Sequence, residues 1–308
     1  MRAGMKAALA VRDPMIKRYR NFEPAELDVQ YNARATTPNV LDILARYTEE
    51  SAKVRATLPG ELDVAFGDHP DEALDIFPSP RPHSPVFVFI HGGYWRALGK
   101  NDSSNMAPAF TQAGATVVAV NYSLAPGASL DTMVDQCRRA LAWIHRNIDR
   151  YNGDARRIHV CGSSAGGHLV GMMLADGWHA GYGVPHSVIA GAIPLSGLFD
   201  LTPIPLTHIN AWMNLSDADA ERNSPMMHLP MQGCPLIVSY GETETAEFKR
   251  QTDDYLAAWR ARGFPGAYVP MPGTNHFDIV LTLNDAKSPL TRAILRQMGL
   301  AGAGKDGS

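Results

Sequence analysis

Residues Arg157 to Met173, RIHVCGSSAGGHLVGMM, constrain the fold more than any other stretch of the chain. A β-branched run containing Ile158 and Val160 meets Gly162-Ser163-Ser164-Ala165-Gly166, and an apolar segment of helical character follows at once. The order is strand, tight turn, helix. In a G-x-S-x-G turn the serine occupies a strained corner with its hydroxyl exposed above the sheet, and small flanking residues let backbone and substrate come close. Ser164 is therefore the candidate nucleophile. In a chain with 27 glycines the pentapeptide alone is unspecific, so its flanks carry the weight. The competing interpretation is a glycine-rich helix start with a serine cap.

The rest of the chain alternates in the same sense. Thr37-Pro38 reads as a helix start, with Thr37 as cap, and Val40, Leu41, Leu44 and Tyr47 form the apolar stripe of that helix. Two alternating runs, Leu62 to Phe66 and Ala73 to Phe77, flank Gly67-Asp68-His69-Pro70 and predict an antiparallel hairpin. Beyond the proline-rich PSPRPHSP, Val86-Phe87-Val88-Phe89-Ile90 suits a central strand covered on both faces. Further strands are expected at Ala115 to Val120, Val188 to Leu195, Pro235 to Tyr240 and Ala267 to Met271. Helices are expected near Ser104 to Ala113, Leu130 to Arg150, Gln251 to Ala261 and Leu290 to Met298.

Such alternation implies right-handed crossovers and an α/β, doubly wound, mostly parallel sheet, with active residues at the carboxyl ends of its strands. Residues 1–58 read as an arm and helix packing on the core, and residues 59–300 as the main domain. A small cap segment is expected at about 200–230, where proline, methionine and Trp212 break the alternation, and residues 301–308 as a disordered tail.

Composition excludes several function classes. A chain of 308 residues, 45% hydrophobic, can bury a full core. With a net charge of -3 and a pI near 6.4 it shows no electrostatic footprint for nucleic acid or an anionic membrane. Cys137, Cys161 and Cys234 form neither a disulfide framework nor a metal-spaced cluster, which fits a reducing, cytoplasmic setting. The N-terminal apolar patch, interrupted by Arg12 and Asp13, is too short for a membrane span and lacks a signal-peptide core. No H-E-x-x-H or similar ligand spacing points to a catalytic metal, and no cofactor is expected. A homodimer is compatible with the class.

A serine hydroxyl needs a base to take its proton, a third group to orient that base, and donors for the oxyanion. Among 11 histidines, His276 follows both the nucleophile and an acid-bearing strand, in the loop after the last strand. His168, one turn beyond Ser164, is expected to face packing, and His91 to serve structurally. The loop after Tyr240 offers Glu242, Glu244 and Glu247; Glu244 is central, Glu247 suits a helix start, and Glu242 is the fallback. Oxyanion donors are expected from the backbone of Gly92, Gly93 and Ala165. Tyr94 and Trp95, just beyond the glycines, are candidates to wall an aromatic-accepting pocket.

With these pieces placed, HGGYW at 91–95, VVAVNYSLAP at 117–126, GSSAGGHL at 162–169, PLSGLFDL at 194–201 and GETETAEFKRQ at 241–251 resemble the α/β-hydrolase superfamily. The chain is most similar to its kynurenine formamidase (arylformamidase) branch, beside the hormone-sensitive-lipase-like esterases. The resemblance implies an α/β-hydrolase fold, a triad acid at Glu244, and cleavage of an aryl formamide such as N-formylkynurenine. A carboxylesterase on short-acyl or aromatic esters, and a catalytically silent ligand-binding homologue, are the alternatives. Two departures stand out: Ser163 where a histidine is common before the nucleophile, and Ser123 where the lipase-like esterases carry arginine.

Overall fold

The computed structural model describes residues 19–300; the start of the N-terminal arm and the expected tail at 301–308 lie outside the described residues. Eight strands form one sheet in the order β1-β2-β4-β3-β5-β6-β7-β8. They are β1 (Glu61–Ala65), β2 (Ala73–Phe77), β3 (Ser84–Ile90), β4 (Thr116–Val120), β5 (Gly153–Ser163), β6 (Gly191–Leu195), β7 (Leu236–Val238) and β8 (Gly266–Tyr268). β1 and β2 pair antiparallel, and β2 pairs antiparallel with β4, whereas the pairings from β4 through β3 to β8 are parallel. The helices are α1 (Pro24–Gln30), α2 (Val40–Thr57), α3 (Ala107–Ala113), α4 (Leu130–Asn147), α5 (Ala165–Leu174), α6 (Asn210–Met213), α7 (Asp217–Arg222), α8 (Ala246–Ala261), α9 (Asp278–Leu281) and α10 (Pro289–Gln297).

The central strands are continuously apolar because helices cover both sheet faces. Side chains alternate across a strand, so Val86, Val88 and Ile90 pack with α4, α5 and α8, while Phe87 and Phe89 pack with α2, α3 and α10. Phe87 stacks on Phe110 of α3 at 3.9 Å between ring centroids. The hairpin is tied to α2 by a charged cluster around Asp75, which is fully buried. Its carboxylate accepts from Arg55 Nε at 2.8 Å, Lys100 Nζ at 2.9 Å and the Asp63 backbone at 3.0 Å. A buried carboxylate persists only with this much compensation.

Three helix starts differ from the sequence expectation, α8 beginning at Ala246, ahead of the expected Gln251. α2 begins at Val40 with Asn39 at its N-cap, because residues Ala33–Thr36 close a separate 3-10 turn, capped by the Asn32 side chain on the Ala35 N–H at 3.3 Å. Thr37 ends that turn instead of capping α2. α3 begins at Ala107 and not near Ser104. The backbone N–H groups of Ser104 and Asn105 are held by Ser51 Oγ at 3.1 Å each, and Pro108 falls in the first turn, where its missing donor costs nothing.

Candidate active site

Ser164 joins β5 to α5 with φ 56° and ψ -116°, a left-handed conformation that non-glycine residues rarely adopt. Its N–H donates to the Leu195 carbonyl of β6 at 2.8 Å, which pins the corner to the sheet. The glycines around it are required by contact. A Cβ on Gly162 would lie 2.4 Å from the Gly166 carbonyl oxygen, and one on Gly166 would lie 2.1 Å from that of Ile90 at the end of β3. Only bare backbone lets the strand, the turn and the helix meet so closely.

β3 brings the first glycine pair to the same place. A Cβ on Gly92 would stand 2.8 Å from the Ser163 carbonyl oxygen and 3.3 Å from Ser164 Cβ, so the Gly92 backbone is packed directly against the Ser164 turn. Gly93 has φ 98°, and a side chain there would meet the Ala97 carbonyl oxygen at 2.1 Å. Among the described residues no hydrogen bond takes the backbone N–H of Gly92, Gly93 or Ala165. For Ala165 this is the ordinary state of the first residue of a helix.

His276, in the loop after β8, is buried beside the same cavity as Ser164. Its Nδ1–H donates to Glu244 Oε2 at 2.8 Å. The other carboxylate oxygen, Oε1, accepts from Ser196 Oγ at 2.6 Å and from the Gly241 N–H at 2.6 Å. Glu244 thus has both oxygens engaged and can orient one imidazole tautomer, leaving Nε2 as the free acceptor. Rings of Phe248 at 4.6 Å and Phe277 at 5.1 Å pack against the imidazole. Ser196 escaped the sequence reading, although it ends β6 at the carboxyl edge where active groups were expected.

The neighbouring glutamates do different work. Glu242 accepts the Gly273 N–H at 2.7 Å on the surface. Glu247 opens α8 but is buried, not solvated: it pairs with Arg250 at 2.7 Å and accepts from Tyr31 Oη at 3.0 Å.

The cavity has a volume of about 190 Å³. Gly92, Gly93, Ser163, Ser164 and His276 contribute one part of its lining; Asn32, Arg34, Leu44 and Tyr47, from the segment before and within α2, contribute another. Arg96, His208 and Trp212 also face it. Tyr94 lines it, anchored by its hydroxyl on the Tyr31 carbonyl. Trp95 does not line it. Successive left-handed residues, Gly93, Tyr94 and Trp95, turn the chain inward. The Trp95 side chain is fully buried, its Nε1–H donating to His168 Nδ1 at 3.3 Å.

His168 in turn donates Nε2–H to the Asn223 carbonyl at 2.8 Å, and burial pushes its pKa down to about 4. His91 stacks on Tyr122 at 4.2 Å and donates Nδ1–H to the Gly92 carbonyl at 2.9 Å. Burial lowers its pKa to about 4 as well. Both are neutral braces behind Ser164 and the glycine pair.

Over 91% of this chain and 98% of the other, the sequence is 32% identical to kynurenine formamidase of Danio rerio. The chain belongs to the kynurenine formamidase family. It is also similar to the esterase LipQ of Mycobacterium tuberculosis, 26% identical over 72% of this chain and 58% of that protein. A family model described as BD-FAE matches residues 74–180. Among solved structures, a candidate thioesterase from Silicibacter sp. tm1040 superposes with a TM-score of 0.77 at 26% identity, covering 86% of this chain and 97% of the other. The fold is an α/β-hydrolase, and the chain is a hydrolase of the arylformamidase or esterase kind.

Proposed function

We propose that the chain hydrolyses a small aryl formamide of the N-formylkynurenine type through Ser164, His276 and Glu244. The observation that carries this reading is the buried Glu244–His276 hydrogen bond, with the imidazole and Ser164 on one cavity. His276 Nε2 takes the hydroxyl proton as Ser164 Oγ attacks the formyl carbon, and the N–H groups of Gly92, Gly93 and Ala165 receive the developing oxyanion. Collapse breaks the C–N bond as His276 returns the proton to the aniline nitrogen. Water, deprotonated by the same imidazole, then cleaves the formyl-serine to formate and restores Ser164.

The far wall supports an aromatic substrate that carries a carboxylate. Tyr94 and Trp212 offer ring surface, and the two rings stand 6.3 Å apart. Arg34 and Arg96 are exposed at the cavity and, among the described residues, have no acidic partner. Arg96 lies over the Trp212 ring at 3.8 Å, so its guanidinium is held in place by the aromatic face. The three cysteines are unpaired, in keeping with a reducing, cytoplasmic setting.

A second reading, hydrolysis of short-acyl aromatic esters, is favoured by the esterase relatives. The deciding measurement is kcat/KM on N-formylkynurenine beside p-nitrophenyl acetate, with Ser164→Ala as blank. Preference for the formamide is expected; ester turnover with little formamide cleavage would leave the esterase reading.

A further inference from the structure

The segment leaving α5 carries two imidazoles and a carboxylate at the spacing Asp176-x2-His179-x6-His186. One ligand atom from each lies within 4.8 Å of the others. We propose that this cluster binds one divalent transition-metal ion of borderline softness, such as Zn²⁺ or Ni²⁺, with the remaining position left to water. Two nitrogens and one carboxylate oxygen are the donor set such ions favour over Ca²⁺ or Mg²⁺.

Three features of the geometry point to a ligand. First, His179 is buried, its ring stacked on Trp178 at 4.2 Å and 4.6 Å from the His186 ring. Its Nδ1 is withdrawn from water without a hydrogen-bond partner. A buried imidazole nitrogen with nothing to bond is costly, and a metal removes the cost. Second, Asp176 Oδ2 accepts the Met231 N–H at 2.6 Å, which fixes the carboxylate as outer partners commonly fix ligands. Third, its other oxygen, Oδ1, already stands 3.7 Å from His186 Nδ1. Around a tetrahedral ion with bonds of about 2.0–2.2 Å, ligand atoms lie roughly 3.3–3.6 Å apart. The exposed His186 and half-buried Asp176 side chains need only small rotations to close the triangle.

The positive groups nearby do not block the site. Arg138 lies over the Trp178 ring at 5.5 Å, and Arg156 is held by Asp154 at 3.0 Å. The cleft around the cluster shares no lining residue with the Ser164 cavity, so the ion serves to tie residues 176–186 together and takes no part in hydrolysis.

The test is calorimetric titration of chelator-treated full-length protein with Zn²⁺, and separately with Ni²⁺. One ion per chain is expected, with a metal-dependent rise in unfolding temperature. His186→Gln, at an exposed position that folding tolerates, and Asp176→Asn should each weaken binding by about 100-fold or more, with hydrolysis of p-nitrophenyl acetate unchanged. Uptake that survives both substitutions, or a dissociation constant above about 1 mM, would mean an adventitious ion only and overturn the proposal.

Discussion

The wall of the cavity built from strand ends and the wall built from the N-terminal segment are held by different means. Ser164, Gly92 and Gly93 sit at the carboxyl ends of β5 and β3, and the Ser164 turn is hydrogen-bonded to β6. Its position is set by the sheet backbone. The N-terminal wall is attached by hydrogen bonds of side chains between distant segments. Tyr47 Oη donates to the Phe277 carbonyl, Thr245 Oγ1 to the Gln30 carbonyl at 2.6 Å, and Trp212 Nε1–H to the Tyr94 carbonyl at 3.1 Å. Reacting groups on a rigid frame and recognition groups on replaceable pieces are what one fold needs to serve many substrates. The difference teaches that substitutions in the first wall should strike turnover, and those in the second should strike substrate choice.

The sharpest break is Ser164→Ala, which should lower kcat by about 10⁴-fold or more while circular dichroism and the unfolding midpoint stay close to those of the parent. Retained activity would remove the first wall from the chemistry altogether. Glu244→Gln should cost on the order of 10⁴-fold in kcat, as for an orienting acid that fixes the wrong tautomer when amidated. Ser196→Ala removes one of two donors to Glu244 Oε1, a bond to a charged group worth about 1.5–3 kcal/mol. A loss of about 10- to 100-fold in kcat with little change in KM is therefore expected.

The recognition side is tested by joint replacement of Arg34, on the N-terminal wall, and Arg96, which follows the glycine pair and also lines the cavity, with glutamine. For a carboxylate-bearing formamide, KM should rise about tenfold, the joint worth of two exposed charge pairs of up to about 1 kcal/mol each; for a neutral ester it should stay the same. Equal effects on both substrates would erase the contrast between the walls.

The last prediction concerns stability and leaves catalysis aside. His91 and His168 brace the first wall with pKa values near 4, against 6.5 for a free imidazole. Between these limits the unfolded chain binds protons that the folded chain refuses. Stability is therefore full above about pH 6.5, falls as the pH drops toward 4, and loses nothing further from these groups below that. Urea midpoints at pH 7.5, 6 and 5 should decline in that order, and His168→Gln should flatten the decline.

Much of the first wall was legible because local chemistry dictates it. A strand that must turn into a helix around an exposed serine needs small neighbours, and GSSAG supplies them. His276 and Glu244 could be nominated for the proposed triad because the carboxyl edge of a parallel sheet gathers loops in a known place, and the structure hydrogen-bonds the two side chains. The N-terminal hairpin followed from alternation and turn residues. What the residues did not disclose came from contacts between distant segments. Trp95, next to the glycine pair, looks like a pocket residue until the left-handed turn at 93–95 sends it to His168. Thr37 looks like a helix cap until a 3-10 turn claims it.

By itself, then, the sequence determined the α/β architecture, the strand-turn-helix corner at Ser164 and the candidate acid and base of the proposed triad. These depend on periodicity, on glycine's lack of a Cβ and on the order of loops, all of which are properties of neighbours along the chain. Only the tertiary structure decided that Ser196 secures Glu244, that Glu247 ties down the N-terminal segment, and that Arg34 and Tyr47 face the same cavity as Ser164. The pairs involved are 48 residues apart for Ser196 and Glu244 and 216 for Tyr31 and Glu247. Hydrogen-bonding and packing across such separations are set by the global burial of apolar surface, which no local pattern encodes.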